Sequence, residues 1–108
     1  MNAVWPLLNE LKQSLQSLYG PRLKGVILYG SYARGTATSA SDVDILVILD
    51  DSDKPIRPGQ EIERMLDIVF HLSLKYDTLI SVLPVSWRAF RQAQTPLLMN
   101  VHKEGIPV

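Results

Sequence analysis

The longest uninterrupted apolar run in the chain is five residues, Ile45 to Leu49. A run that short cannot cross a bilayer, which takes about 20 apolar residues as a helix. It has the length of a strand, and residues 43–49 carry the strongest strand signal in the sequence. On either side the apolar pattern changes period. Leu7, Leu8, Leu11, Leu15 and Leu18 follow helical spacing over residues 6–19, with Pro6 suited to the first helical position and Gly20-Pro21 ending the helix. Residues 23–29 read as a strand and 30–41 as a small, polar loop with room for a short helix. Residues 50–59 form a polar surface loop. Ile62, Met65, Leu66, Val69 and Phe70 predict a helix over 60–76, with Glu61, Glu63 and Arg64 on its opposite side. Residues 79–85 give a third strand, in which Pro84 marks a sheet edge or the strand's exit. Ser86 caps a short helix reaching Phe90, and Thr95-Pro96 and Gly105 bracket a last helix over 97–104. Such alternation predicts an α/β (α+β) fold, with a small sheet of about three strands and helices packed on it. At 108 residues, with no linker or repeat, the chain reads as one domain, residues 1–108.

Charge and cysteine content narrow the chemistry. Eleven basic and eleven acidic residues cancel, which argues against a protein that coats nucleic acid or an anionic membrane. There are no cysteines, so disulfides, thiolate catalysis and cysteine-based zinc sites are excluded. The opening Met-Asn-Ala-Val-Trp-Pro lacks the charged and apolar regions of a signal peptide, so a cytoplasmic location is expected.

The informative stretch is Gly30-Ser31-Tyr32-Ala33-Arg34-Gly35, followed by Ser41-Asp42-Val43-Asp44. Asp42 and Asp44 lie where the polar loop runs into the apolar strand. Side chains two apart on a strand share a face, so both carboxylates are expected side by side at the rim of a sheet. Their repulsion is relieved by a divalent cation, and Mg²⁺ suits one or two carboxylates completed by substrate phosphates and water. Gly30 lets backbone approach a ligand closely. A short helix starting at Ser31 would offer free N–H groups to an anion, the Ser31 hydroxyl one more donor, and Arg34 a planar fork. Phosphate-binding groups beside a metal site describe a pocket for a nucleoside triphosphate with Mg²⁺. Tyr32, inside the loop, is suited either to stacking on a base or to shielding the loop backbone. His71 and His102 lack a metal-ligand partner at helical spacing, and His102 reads as solvated. Trp5 and Trp87 read as packing or interface residues.

Gly30-Ser31, ten residues, then Asp42-Val43-Asp44 resembles the signature of the polymerase-β-like nucleotidyltransferase superfamily. Ala33-Arg34-Gly35 and Ser41 make it most similar to the minimal nucleotidyltransferases. The resemblance implies a mixed sheet, Gly30 and Ser31 on the nucleotide phosphates, and Asp42 and Asp44 on Mg²⁺. It also implies a third carboxylate on the next core strand. Here Ser81 stands at that position; Asp77 is the nearest acid and Asp67 lies mid-helix. The implied activity is transfer of a nucleotidyl group, AMP from ATP, to a hydroxyl. The implied partner is a helical HEPN-domain protein of a toxin–antitoxin pair, the acceptor one of its tyrosines. The alternative is an antitoxin that binds nucleotide and neutralises such a toxin by covering it. The sequence leaves self-association open.

Overall fold

A computed structural model describes residues 4–108; Met1-Asn2-Ala3, part of the segment read above for a leader, lies outside the described residues. The elements are α1 (Val4–Tyr19), a 3₁₀ turn (Gly20–Arg22), β1 (Leu23–Tyr29), α2 (Ser31–Arg34), β2 (Val43–Leu49), α3 (Pro58–Tyr76), β3 (Ile80–Ser86), α4 (Trp87–Gln92), α5 (Pro96–Glu104) and β4 (Ile106–Pro107). The strands form one mixed sheet in the order β3-β2-β1-β4. β2 runs antiparallel to β1 and parallel to β3, and β4 pairs antiparallel with β1. This is the expected α+β class, with four strands rather than three. β4 is two residues long and contains a proline, too short to show a period. Its neighbour Val108 extends the contact by donating its N–H to the Val26 carbonyl at 2.9 Å. Gly105 sets up that return: a Cβ there would come within 2.5 Å of the Val101 carbonyl and 2.6 Å of Ile27.

β2 is central, and both its faces are covered. Val43, Ile45, Val47 and Leu49 join Leu7, Leu8, Leu11 and Leu15 of α1 and Met65 and Leu72 of α3 in the main core. Leu46 and Ile48 face Leu98 and Val101 of α5 in a second cluster. That is why this strand reads as a near-continuous apolar run rather than an alternation. Pro84 lies on β3, at the sheet edge, where a missing N–H costs no ladder bond. Ser86 and Thr95 cap α4 and α5, their hydroxyls accepting from the N–H groups of Ala89 at 3.0 Å and Leu98 at 3.2 Å.

α3 is rotated from its predicted orientation. Glu61, Met65 and Leu72 face inward, whereas Ile62, Leu66, Phe70 and Leu74 face outward. The helix carries two apolar stripes, and the inner one contains a carboxylate that is only 3% exposed. Glu61 is satisfied from α1 and the turn after it. The Tyr19 hydroxyl donates to Oε1 at 2.9 Å and Arg22 to Oε2 at 3.2 Å. Burial and this bond to Glu61 push the Tyr19 hydroxyl well above the usual phenol range. Removing one partner of a buried pair strands the other, at about 3–5 kcal/mol. Glu61→Ala is therefore expected to lower the melting temperature by more than about 10 °C. Glu61→Gln, which keeps an acceptor for Tyr19, should lose less than half as much; thermal unfolding followed by circular dichroism checks both.

Candidate functional site

The site is built around the turn that joins β1 to α2. Gly30 caps α2 with φ +75° and ψ −154°, a conformation open essentially to glycine alone. A Cβ at this position would also overlap Asp44 Oδ2. Glycine is thus required twice, for the backbone path and for the room it leaves a carboxylate. α2 is a single turn from Ser31, as the loop's composition allowed, closed by the Arg34 N–H donating to the Gly30 carbonyl at 3.1 Å. The N–H groups of Ser31, Tyr32 and Ala33 precede that first helical bond and are left to other partners. Gly35 ends the turn in the left-handed region. The loop onward is pinned by the Ser41 Oγ, which accepts the Thr38 N–H at 2.9 Å. The Val43 N–H donates to the Leu79 carbonyl at 2.8 Å, joining β2 to the segment before β3.

β2 begins at Val43, so Asp42 lies one residue before the strand rather than on it. Its charge still bears on Asp44. Burial, then repulsion from Asp42, raises the Asp44 carboxyl above the usual carboxylate range, while Arg34 opposes the rise. Asp42 is exposed and Asp44 half-buried. Arg34 also lies 3.6 Å from Glu104 of α5, in a pair about half exposed on both sides. Exposed pairs contribute about 0–1 kcal/mol, so Arg34 is free to exchange that partner for a phosphate at little cost. Burial and the charge of Asp44 raise the Tyr29 hydroxyl.

Asp44, crowded by Asp42 and relieved only in part by Arg34, forms with Asp42 a donor pair that a hard divalent cation neutralises. Among the described residues no cluster of three or more His, Cys, Asp or Glu side chains could hold a metal. The remaining ligands of an ion at Asp42 and Asp44 would come from substrate oxygens and water, as Mg²⁺ prefers.

Tyr29, Asp44 and Ser81 stand opposite one another across β1, β2 and β3. Ser81 is therefore the residue beside Asp44 on the next strand, and it is not an acid. Asp77, at the left-handed C-cap of α3, is not among the charges that shift Asp44, and Asp67 is exposed on α3. Tyr32 packs against the main core and lines a cavity with Val4, Leu7 and Tyr76. His102 is exposed but not simply solvated. Its Nε2 lies 2.6 Å from the Phe90 carbonyl and its ring stacks on Phe90 at 4.3 Å. Trp87 stacks on Phe90 at 6.0 Å beneath Arg91. Tyr29, Glu104 and Asn100, which line the α5 side of Gly30 and Arg34, carried no motif signal; only the ladder and the return of α5 bring them there.

Comparison with known proteins bears on the family and the fold. Residues 8–88 match the family described as Nucleotidyltransferase domain. Two Methanocaldococcus jannaschii proteins, each named "Putative protein adenylyltransferase", are similar over nearly their whole length. MJ0141 is 32% identical, with 94% of this chain and 95% of its own aligned. MJ0604 is 33% identical, with 91% of this chain and 90% of its own. A crystal structure described as a toxin-antitoxin with AMP-PNP superposes with a TM-score of 0.63 at 24% identity, over 92% of this chain and 69% of that one; this likeness concerns the fold. From the match over residues 8–88 and the extent of the two archaeal relatives, the chain belongs to the nucleotidyltransferase domain family.

Proposed function

We propose that this chain, as one nucleotidyltransferase domain, transfers AMP from ATP to a hydroxyl of a partner protein in a Mg²⁺-dependent reaction. The observation that carries the reading is the seating of Asp44 against Gly30, with Asp42 close enough to perturb it. The names of the M. jannaschii relatives support a protein acceptor, and the toxin-antitoxin described with AMP-PNP supports a nucleotide and a protein partner. The partner we assign is a helical HEPN-domain toxin, with one of its tyrosines as acceptor.

Asp42 and Asp44 hold the cation. The backbone at Gly30 and the Ser31 hydroxyl take the β and γ phosphates, and Arg34 leaves Glu104 to add a donor. Bound Mg²⁺ screens the triphosphate and stabilises the charge on the departing pyrophosphate. The acceptor oxygen forms a bond to the α phosphorus as the bond from that phosphorus to the β-phosphate oxygen breaks. Pyrophosphate leaves, and the hydroxyl proton passes to solvent, since Ser81 supplies no base beside Asp44.

That serine favours a second reading, in which the chain binds nucleotide but neutralises its partner by covering it. The test incubates the chain and its helical partner with Mg²⁺ and ATP labelled on either the α or the γ phosphate. Under the first reading only the α label reaches the partner, and chelation of Mg²⁺ reduces transfer to background. Transfer of the γ label would replace nucleotidyl transfer by phosphoryl transfer. No label on a partner that is nevertheless inhibited selects the second reading.

A further inference from the structure

Among the described residues, the outward stripe of α3 has no partner in the fold. Leu66 is 54% exposed, Phe70 67% and Leu74 69%, and Leu79, just before β3, is 69% exposed. Ile62, Leu66, Phe70 and Leu74 recur every four residues, a continuous apolar ridge of about 18 Å along one side of the helix, and Leu79 follows just beyond its end. Contiguous exposed apolar surface of this kind marks an interaction site. Leu66, Phe70, Leu74 and Leu79 line a groove of about 570 Å³ that Asp42 also lines. One of the two carboxylates of the candidate metal site therefore shares a groove with the apolar surface.

The groove's charge identifies its occupant. Among the described residues it is lined by two carboxylates, Asp77 and Asp42, the second shared with the candidate cation, and by no Lys, Arg or His. The nearby cations of α3 are engaged elsewhere, Lys75 with Glu10 at 2.7 Å and Arg64 with Glu61 at 4.0 Å. A phosphate backbone would meet only like charge there, so a nucleic-acid acceptor is disfavoured. A second copy packed through the same patch would be isologous and would gather both Asp42 and both Asp77 carboxylates without a cation from either patch. A partner segment with apolar side chains and flanking Lys or Arg satisfies both features.

We propose that the groove between the outer face of α3 and Asp42 seats an apolar, base-flanked segment of the protein that supplies the acceptor hydroxyl. This rests on the nucleotidyl-transfer reading of Asp42 and Asp44. It places the acceptor on the α3 side of Asp42, while Gly30 and Arg34 face α5. Leu66, Phe70 and Leu74 are thus specificity residues for the acceptor and have no part in holding nucleotide.

The test places the photo-crosslinker p-benzoylphenylalanine at position 70 of the full chain, in a lysate of the organism that encodes it, with α-labelled ATP and Mg²⁺. The expected result is a cross-link to a different protein that also carries the label, mapped to a segment with apolar residues and adjacent Lys or Arg. In parallel, Leu66→Asp/Leu74→Asp should lower label transfer to that protein at least about tenfold while leaving the heat of Mg²⁺-ATP binding unchanged. Both side chains are solvent-facing, so the fold tolerates the change, as a thermal melt would verify. Cross-linking to a second copy, to RNA or to nothing overturns the proposal, as does unaltered transfer by the double variant. Absence of Mg²⁺-ATP heat in the unaltered chain overturns the underlying nucleotide reading and with it the acceptor assignment. Normal heat with unaltered transfer by the variant removes the groove alone.

Discussion

Asp44→Asn is expected to reduce α-label transfer by on the order of 10²–10³-fold, because a carboxylate contact to the cation that offsets triphosphate charge supplies several kcal/mol. The same change is expected to stabilise the empty protein at neutral pH. Burial and Asp42 raise the folded-state affinity of Asp44 for its proton, so ionising it costs more in the folded than in the unfolded chain. Wild-type stability from this group is full below the ordinary aspartate range and is lost as pH rises through the raised value. The variant escapes that loss. Its melting temperature should exceed wild type at pH 7, and the difference should vanish when the pH falls below the ordinary range. Saturating Mg²⁺-ATP should then invert the order, since a ligand at 100 times its dissociation constant adds about 2.7 kcal/mol to a protein that binds it. Melting curves at two pH values, with and without Mg²⁺-ATP, test all three statements. An unchanged transfer rate would remove Asp44 from the chemistry.

Gly30→Ala should be nearly as damaging to activity, for a steric reason. The alanine must adopt φ +75°, ψ −154° or distort the turn, at about 1–3 kcal/mol. Its methyl group also occupies the place of Asp44 Oδ2. Transfer is expected to fall by on the order of 10²-fold, together with a lower melting temperature. Gly35→Ala is the matched control. It has φ +77°, but a Cβ there meets nothing within 4 Å. It should therefore destabilise the turn while keeping most of the activity. Equal losses in the two variants would mean that backbone strain, not displacement of the carboxylate, explains the effect.

The legible parts of this protein were those encoded within a few residues. The loop-to-strand passage, the glycine–serine turn and the aspartates lie in one stretch, and the apolar run of β2 announces its own burial on both faces. The position of Ser81 also followed from counting along the third strand, and the parallel register with β2 sets it opposite Asp44. The rotation of α3 did not follow. Two stripes compete for the core, and the choice is made by Tyr19 and Arg22, about forty residues earlier, which supply partners for Glu61. Periodicity ranks such a glutamate as a surface residue because it cannot see a distant hydroxyl and guanidinium. β4 was missed because a two-residue strand has no period, and the pairing of Arg34 with Glu104 because it depends on where α5 returns to the sheet.

The antiparallel pairing of β1 with β2 has a kinetic corollary. Gly30, Ser31, Arg34, Asp42 and Asp44 all belong to those two strands and the thirteen residues between them, whereas β3 must wait for the α3 crossover. Short loop closure is entropically cheap and fast. The strands that carry these residues therefore pair across a short connection, and the later α3 and α5 cover both faces of β2. Circular permutation within residues 51–57 would leave that unit uncut.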